Sequence, residues 1–317
     1  MSTRQMLRWA APRRILLATD LTDLHFVLPV AMEHALEHRA ELKIAHIFPG
    51  PNMSMIDPVL LVFADSGRLY RAAEKQLLRA VSEAQAANVS CSTQLATGNT
   101  VDELIKLAHT WKADRLIAGS HGLEKFHLHV LGSVAESLFH RIEVPVLAVG
   151  PKSAAKKQQP ERRRRIVFAT SLGRDSRRMA EFALSIAENS GASIWLIHAV
   201  PNMVPAHPTA VPILAHASTM MQDLLTARAV RNCQPVCEVS HGQPAEAILD
   251  AARSHEADLI IVGASAHSAF DARFVPGTAY RVLCEAPCPV LVLKEGSAPI
   301  RESKPVQAES PSRAALH

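Results

Sequence analysis

The chain has 317 residues, of which 48% are hydrophobic and 20% charged, with a net charge of +4. That length suits two domains of about 150 residues, and the balance excludes collagen, coiled coil and wholesale disorder. Aromatics at 4% leave few stacking platforms for single-stranded nucleic acid, and the weak net charge gives no basic face for DNA.

At the N-terminus, Met1 to Arg14 carries early arginines without an apolar core, so no secretory signal is expected. No run approaches the roughly 18 apolar residues of a membrane span. Five cysteines suit a reducing compartment. These features predict a cytoplasmic protein that binds neither nucleic acid nor membrane.

Short β-branched apolar runs then alternate with longer amphipathic stretches. The runs predict strands near 14–19, 42–48, 89–96, 114–119 and 144–149. Continuous runs such as VPVLAV suit strands covered on both faces. One helix carries Leu104, Leu107, Ala108 and Trp111 on a face and opens with Thr100-Val-Asp-Glu103, a capping box. A later one carries Ala135, Leu138, Phe139 and Ile142. His34 and His38, at i, i+4 spacing on the first long helix and with no third ligand in view, are expected at the surface.

The pattern then repeats. ILLATD at 15–20 returns as IVFATS at 166–171, ADRLIAGS at 113–120 as ADLIIVGA at 257–264, and VPVLAV at 144–149 as CPVLVL at 288–293. The expected organisation is a first domain over 1–150, a polar linker over 151–163, a second domain over 164–294 and a disordered tail over 295–317. Each domain is α/β, with five strands in a doubly wound parallel sheet. The Arg162–Arg165 run, where the linker feeds a strand, is expected to be a solvated boundary. Cys233/Cys237 and Cys284/Cys288 show a loose metal-ligand spacing, and free thiols are the better reading.

The segment that carries chemistry is GSHGLEKFHLHVLGSVAES, residues 119–137. Its glycines, Gly119, Gly122 and Gly132, fall between a strand end and a helix start, where open parallel sheets bind ligands. Gly132 and Ser133 at a helix N-terminus suit phosphate, although Ser133 also reads as an ordinary cap of a capping box with Glu136. His127 and His129 in the same loop suit contact with phosphate or a metal, with Lys125 as a cation, or plain solvation. No GxxxxGK[ST], G-x-S-x-G or HExxH occurs.

These residues, together with ILLATD, His46-Ile47 and SVAESLFHRIEVPVLAV, resemble the universal stress protein family in its tandem two-domain form. The resemblance implies the strand order 3-2-1-4-5 and an adenine-nucleotide site of the ATP-binding type in the first copy. Position by position it implies Asp20 at the adenosine end and main-chain contacts from Ile47 to adenine. Gly119, Gly122, Gly132 and Ser133 would cradle ribose and phosphates, with Ser120 and His121 lining the pocket. By itself, Asp20 also reads as a helix-capping carboxylate. The implied cofactor is ATP or another adenine nucleotide, with Mg admitted beside it. The implied role is regulatory, with an unidentified protein partner, at most weak hydrolysis, and pairing of the two domains or a homodimer. A nucleotide-independent scaffold and an adenylating enzyme are the alternatives.

The second copy departs at the diagnostic places. Ser171 stands for Asp20, Ala266 for Gly122, and Pro276-Gly277 for Gly132-Ser133, or, sliding by one residue, a Gly277-Thr278 pair with the loop lengthened to ten. It is therefore expected not to hold nucleotide. The resemblance to tandem members further implies that the two domains associate through VPVLAV and CPVLVL, and covering an exposed hydrophobic edge makes that physically reasonable.

Overall fold

The computed structural model describes residues 3–49, 66–120, 131–152, 162–201, 207, 209–264 and 277–294. The tail, most of the linker, and the loop positions His121, Gly122, Lys125, His127, His129, Ala266 and Pro276 lie outside the described residues.

A short helix α1 (Thr3–Ala10) precedes strand β1 (Arg14–Ala18), helix α2 (Leu24–His38) and strand β2 (Glu41–Pro49). Helix α3 (Ser66–Ala86), strand β3 (Cys91–Gly98), helix α4 (Thr100–Thr110), strand β4 (Arg115–Gly119), helix α5 (Ser133–Arg141) and strand β5 (Val146–Val149) complete the first unit. The second unit runs through β6 (Arg165–Ala169), α6 (Ser176–Ser190), β7 (Ser193–Val200), α7 (Ala210–Gln222), α8 (Ala227–Cys233) and β8 (Val236–His241). It ends with α9 (Pro244–Ser254), β9 (Leu259–Ala264), α10 (Thr278–Glu285) and β10 (Val290–Lys294).

The ten strands among the described residues form one sheet in the order β3-β2-β1-β4-β5-β10-β9-β6-β7-β8. Each half has the order 3-2-1-4-5 and is parallel throughout. The halves join where β5 and β10 pair antiparallel, with Val290 opposite Ala148 and Val292 opposite Val146. The two apolar edges thus cover each other.

Alternation along the strands sends side chains to opposite faces. Leu17, Ile117, Leu147, Phe168, Ile261 and Leu291 share one core, whereas Leu16, Leu116, Val146, Val167, Ile260 and Val290 share the other. Both cores run across the junction without a break.

The Arg162–Arg165 run is not a solvated boundary. Arg162 pairs with Asp258 at 2.5 Å and Arg165 with Glu256 at 2.9 Å, which fastens the strand start to the second unit. Arg164 reaches back to Glu33 and Glu37 on α2. The signal is invisible in sequence because those acids lie 91 to 131 residues away.

The cap of α4 also differs from the sequence reading. Asn99, not Thr100, accepts the Asp102 amide at 3.1 Å, and Thr100 is the first helical residue. The cysteines are free thiols: Cys233, Cys284 and Cys288 are buried, Cys91 and Cys237 half-buried. Cys237 lies on the outer strand β8, with three strands between it and β10, so the two cysteine pairs do not meet.

Candidate nucleotide site

Strand register gathers the first unit's candidate residues. Ala18 lies opposite both Ala45 on β2 and Ala118 on β4. Two residues further along those ladders come Asp20, Ile47 and Ser120, at the carboxyl ends of three adjacent strands. The chain of Ser120 is fixed by its amide, which donates to the Val149 carbonyl at 2.9 Å. Its carbonyl accepts the Gly132 amide at 3.0 Å, which ties the start of α5 to the end of β4. Gly132 is the cap of that helix and Ser133 its first residue, so Ser133 is not the cap. Because the Gly132 amide is engaged internally, the donors left at this helix end begin at Ser133.

Asp20 is not a helix cap either. Its Oδ1 accepts the Thr22 amide at 2.8 Å, the Thr22 hydroxyl at 2.7 Å and the Asp23 amide at 3.3 Å. This is an Asx turn that fixes a half-buried carboxylate at the mouth of β1. The turn continues through Leu21 at φ 75°, whose amide donates to the Thr19 hydroxyl at 2.9 Å. His46 faces the same corner, its Nδ1 at 2.9 Å from the Thr19 carbonyl.

Sequence reasoning missed Asp23. It is buried, it accepts a hydrogen bond from the Thr19 hydroxyl, and it caps α2 without a side-chain bond to the helix. Burial, assisted by the Asp20 charge, pushes its carboxyl up to about 6, against the pull of the Thr19 hydrogen bond. A Cβ on Gly119 would stand 2.6 Å from its Oδ2. Gly119 is therefore required by close approach to a carboxylate, a reason distinct from room for a ligand. The repeat carried the signal, since Thr19 and Asp23 recur as Thr170 and Asp175.

The same end of the second unit forms a cavity of about 280 Å³, lined among others by Thr170, Ser171, His198, Gly263 and Thr278. No Asp, Glu, Lys or Arg lines it among the described residues. A larger groove, about 810 Å³, lies at the opposite end of the first unit beside Trp9, Ile105 and Val144, remote from these residues.

His34 and His38 are not surface residues. His34 is 5% exposed, and its Nδ1 lies 3.3 Å from a guanidinium nitrogen of Arg115, itself buried on β4. Glu37 completes a three-residue group with metal-ligand spacing. A guanidinium only donates, so Nδ1 accepts and the neutral ring carries its proton on Nε2. That tautomer offers a metal no lone pair, and burial with Arg115 nearby holds His34 well below its usual pKa. The group is a buried Arg–His pair, and we place no ion there.

The profile of the Universal stress protein family matches residues 12–150 and 162–294. A universal stress protein from the QAH/OAS sulfhydrylase 3′ region of Thermus aquaticus is 45% identical over 53 residues, which is 17% of this chain and 39% of that protein. In fold, the chain is similar to a universal stress protein from Archaeoglobus fulgidus DSM 4304, with TM-score 0.67 and 20% identity over 90% of this chain and 97% of that one. A universal stress protein in complex with cAMP is 27% identical over 44% of this chain and 98% of its own, with TM-score 0.34. With both halves of the chain matched and both built on the same strand order, the chain belongs to the universal stress protein family, as a tandem pair of domains in one sheet.

Proposed function

We propose that the first domain binds an adenine nucleotide, ATP in the fullest reading, and that its occupancy regulates an interaction with another protein. The observation that carries this reading is the convergence of Asp20, Ile47 and Ser120 at one crest of the sheet, with the start of α5 tied to Ser120. A fixed carboxylate thereby stands at the same end of the sheet as the unsatisfied amides of a helix N-terminus. That pairing suits a ribose hydroxyl and a phosphate.

In this reading the residues bind and orient. Asp20 accepts from the sugar, the Ile47 backbone meets the base, and Gly119 and Ser120 form the floor. Ser133 and the amides after it receive the phosphates, with His121 and Gly122 assigned to the same cradle from sequence. A bound nucleotide would supply the phosphate charge that these amides neutralise, with Mg beside it. Asp20 is already held by three donors, so it is poorly placed to take a proton from water, and regulation is favoured over turnover. Asp20→Ser, which copies Ser171, should weaken ATP binding by roughly ten- to a hundredfold in titration calorimetry, the range of one charge-assisted hydrogen bond.

The direct test is to purify the protein without added nucleotide, denature it and quantify the adenine nucleotide released. About one equivalent per chain is expected. Two equivalents would overturn the assignment of an empty second domain. None released, and no binding of added ATP, would leave the scaffold reading.

A further inference from the structure

Helix α10 of the second domain touches the first domain where the proposed anion site begins. The Leu131 amide donates to the Tyr280 hydroxyl at 3.3 Å, and both residues are buried, at 3% and 8% exposure. Leu131 directly precedes Gly132, whose own amide is held by Ser120. The entry to α5 is thus held at two consecutive amides, one by its own domain and one by the other.

The contact has no reciprocal. The caps of α10 and α5 are Gly277 and Gly132, which shifts by one residue the gap-free alignment that set Pro276 on Gly132; superposed on these caps, Tyr280 falls on Ala135 and Pro276 on Leu131. Alanine carries no hydroxyl to receive an amide, and proline has no amide to give. A packing contact between pseudo-equivalent helices would be met from both sides. This bond therefore runs in one direction, toward the domain with the candidate site.

We propose that Tyr280 is a positioning residue for the first domain's anion site. By holding the Leu131 amide it fixes how the chain enters Gly132-Ser133, so the second domain sets the affinity of the first for a phosphate-bearing ligand. This rests on the nucleotide reading of that site. Its physical basis is preorganisation: amides already fixed in the ligand-binding arrangement lose less freedom when the ligand arrives. Thr278 and Ala279, just before Tyr280, line the second domain's cavity, so the anchor stands between the two crevices.

The test uses the full chain with Tyr280→Phe, which keeps the buried ring and removes only the hydroxyl. The control is Arg281→Ala, the next residue on α10, which pairs with Glu246 and Glu285. In nucleotide-free protein, the Leu131 amide should exchange with solvent about tenfold faster in Tyr280→Phe by NMR. The ATP dissociation constant should rise about fivefold, the factor of one neutral hydrogen bond. Arg281→Ala should change neither, and the melting temperature of Tyr280→Phe should stay within about 3 °C of the parent. Unchanged ATP affinity in Tyr280→Phe, or an equal loss in Arg281→Ala, overturns the proposal. If the parent chain binds no adenine nucleotide, the reading of the site fails by itself. The Leu131 exchange rate then decides: acceleration upholds the anchor of α5, and no change overturns it.

Discussion

The two domains share a scaffold down to individual hydrogen bonds, yet differ in the groups that would meet a ligand. Asp114 Oδ2 accepts the Arg13 and Arg14 amides at 2.9 and 3.0 Å, and Asp258 Oδ2 accepts the Arg165 amide at 2.9 Å. His46 and His198 each place Nδ1 at 2.9 Å from the carbonyl of Thr19 or Thr170. Leu21 and Leu172 both adopt positive φ, with their amides on the preceding threonine hydroxyl. Even the Asp20 turn survives, because the Ser171 hydroxyl accepts the Gly173 amide at 3.3 Å. What the second domain lacks is the charge. The turn is therefore a property of the fold, and the carboxylate within it is the separable part to which the proposed function assigns the ligand contact.

A second difference lies in the core. Ile15 pairs with Arg115 on β4, and the equivalent Ile166 pairs with Leu259 on β9. The helix position of His34 is Ile186 in the second domain, counting from the caps Asp23 and Asp175. The first domain thus buries a guanidinium and an imidazole where the second buries two aliphatic side chains. Arg115 finds the Trp9 carbonyl at 3.0 Å and His34, while its Nε has no partner among the described residues. Burial pushes its pKa down to about 10.

The largest expected effect comes from breaking that pair from one side. His34→Ile should destabilise the first domain by about 3 kcal/mol, since it leaves a buried guanidinium with too few acceptors. Joining it to Arg115→Leu, which copies the second domain, should recover the loss and add about 1 kcal/mol. Urea denaturation of the two single variants and the double variant checks this. A double variant no more stable than His34→Ile would show that Arg115 holds α1 and β4 in a way aliphatic packing does not replace.

Next in size is the Asp23 carboxyl. Its folded pKa of about 6 stands above its ordinary value of 3.8, so the folded state holds this proton more tightly. The stability that proton contributes is fully present below about pH 4 and is lost as pH rises through 6. Two pKa units correspond to about 3 kcal/mol. Asp23→Asn should therefore match the parent near pH 4 and exceed it by that amount at pH 8. Parallel curves for the two proteins across this range would refute the elevated pKa.

Gly132→Pro addresses the site. The φ of −63° at Gly132 suits a proline ring, so the fold should survive while the bond to Ser120 is lost. ATP binding should fall by more than about 30-fold, or roughly 2 kcal/mol, in calorimetry. Retained affinity would remove the start of α5 from the phosphate site. The smallest effect is at the end of α2, where Arg39 adopts φ 49° while Gly191 occupies the same place after α6. Arg39→Gly should raise the melting temperature by a few degrees, for about 1 kcal/mol of relieved left-handed backbone.

Sequence by itself determined the elements whose causes are local. Apolar runs marked the strands to within about two residues, the repeat predicted the twofold architecture, and the family resemblance implied the meeting of the two last strands. The glycine spacing with ILLATD located the candidate site, because a strand end followed by a helix start is written in a few consecutive residues. Tertiary structure decided what depends on distant partners. Helical spacing puts His34 and His38 on one face but does not say that Arg115 lies beneath it, 81 residues away. Arg164 reads as part of a solvated boundary until α2 is folded opposite it, and Tyr280 is an unremarked helix residue until the sheet brings it to Leu131, 149 residues back. Local pattern fixes which way a chain runs and which face is apolar. Which polar groups are then enclosed together is settled only when the two cores close, since a buried donor must take the acceptor that the packing leaves within reach.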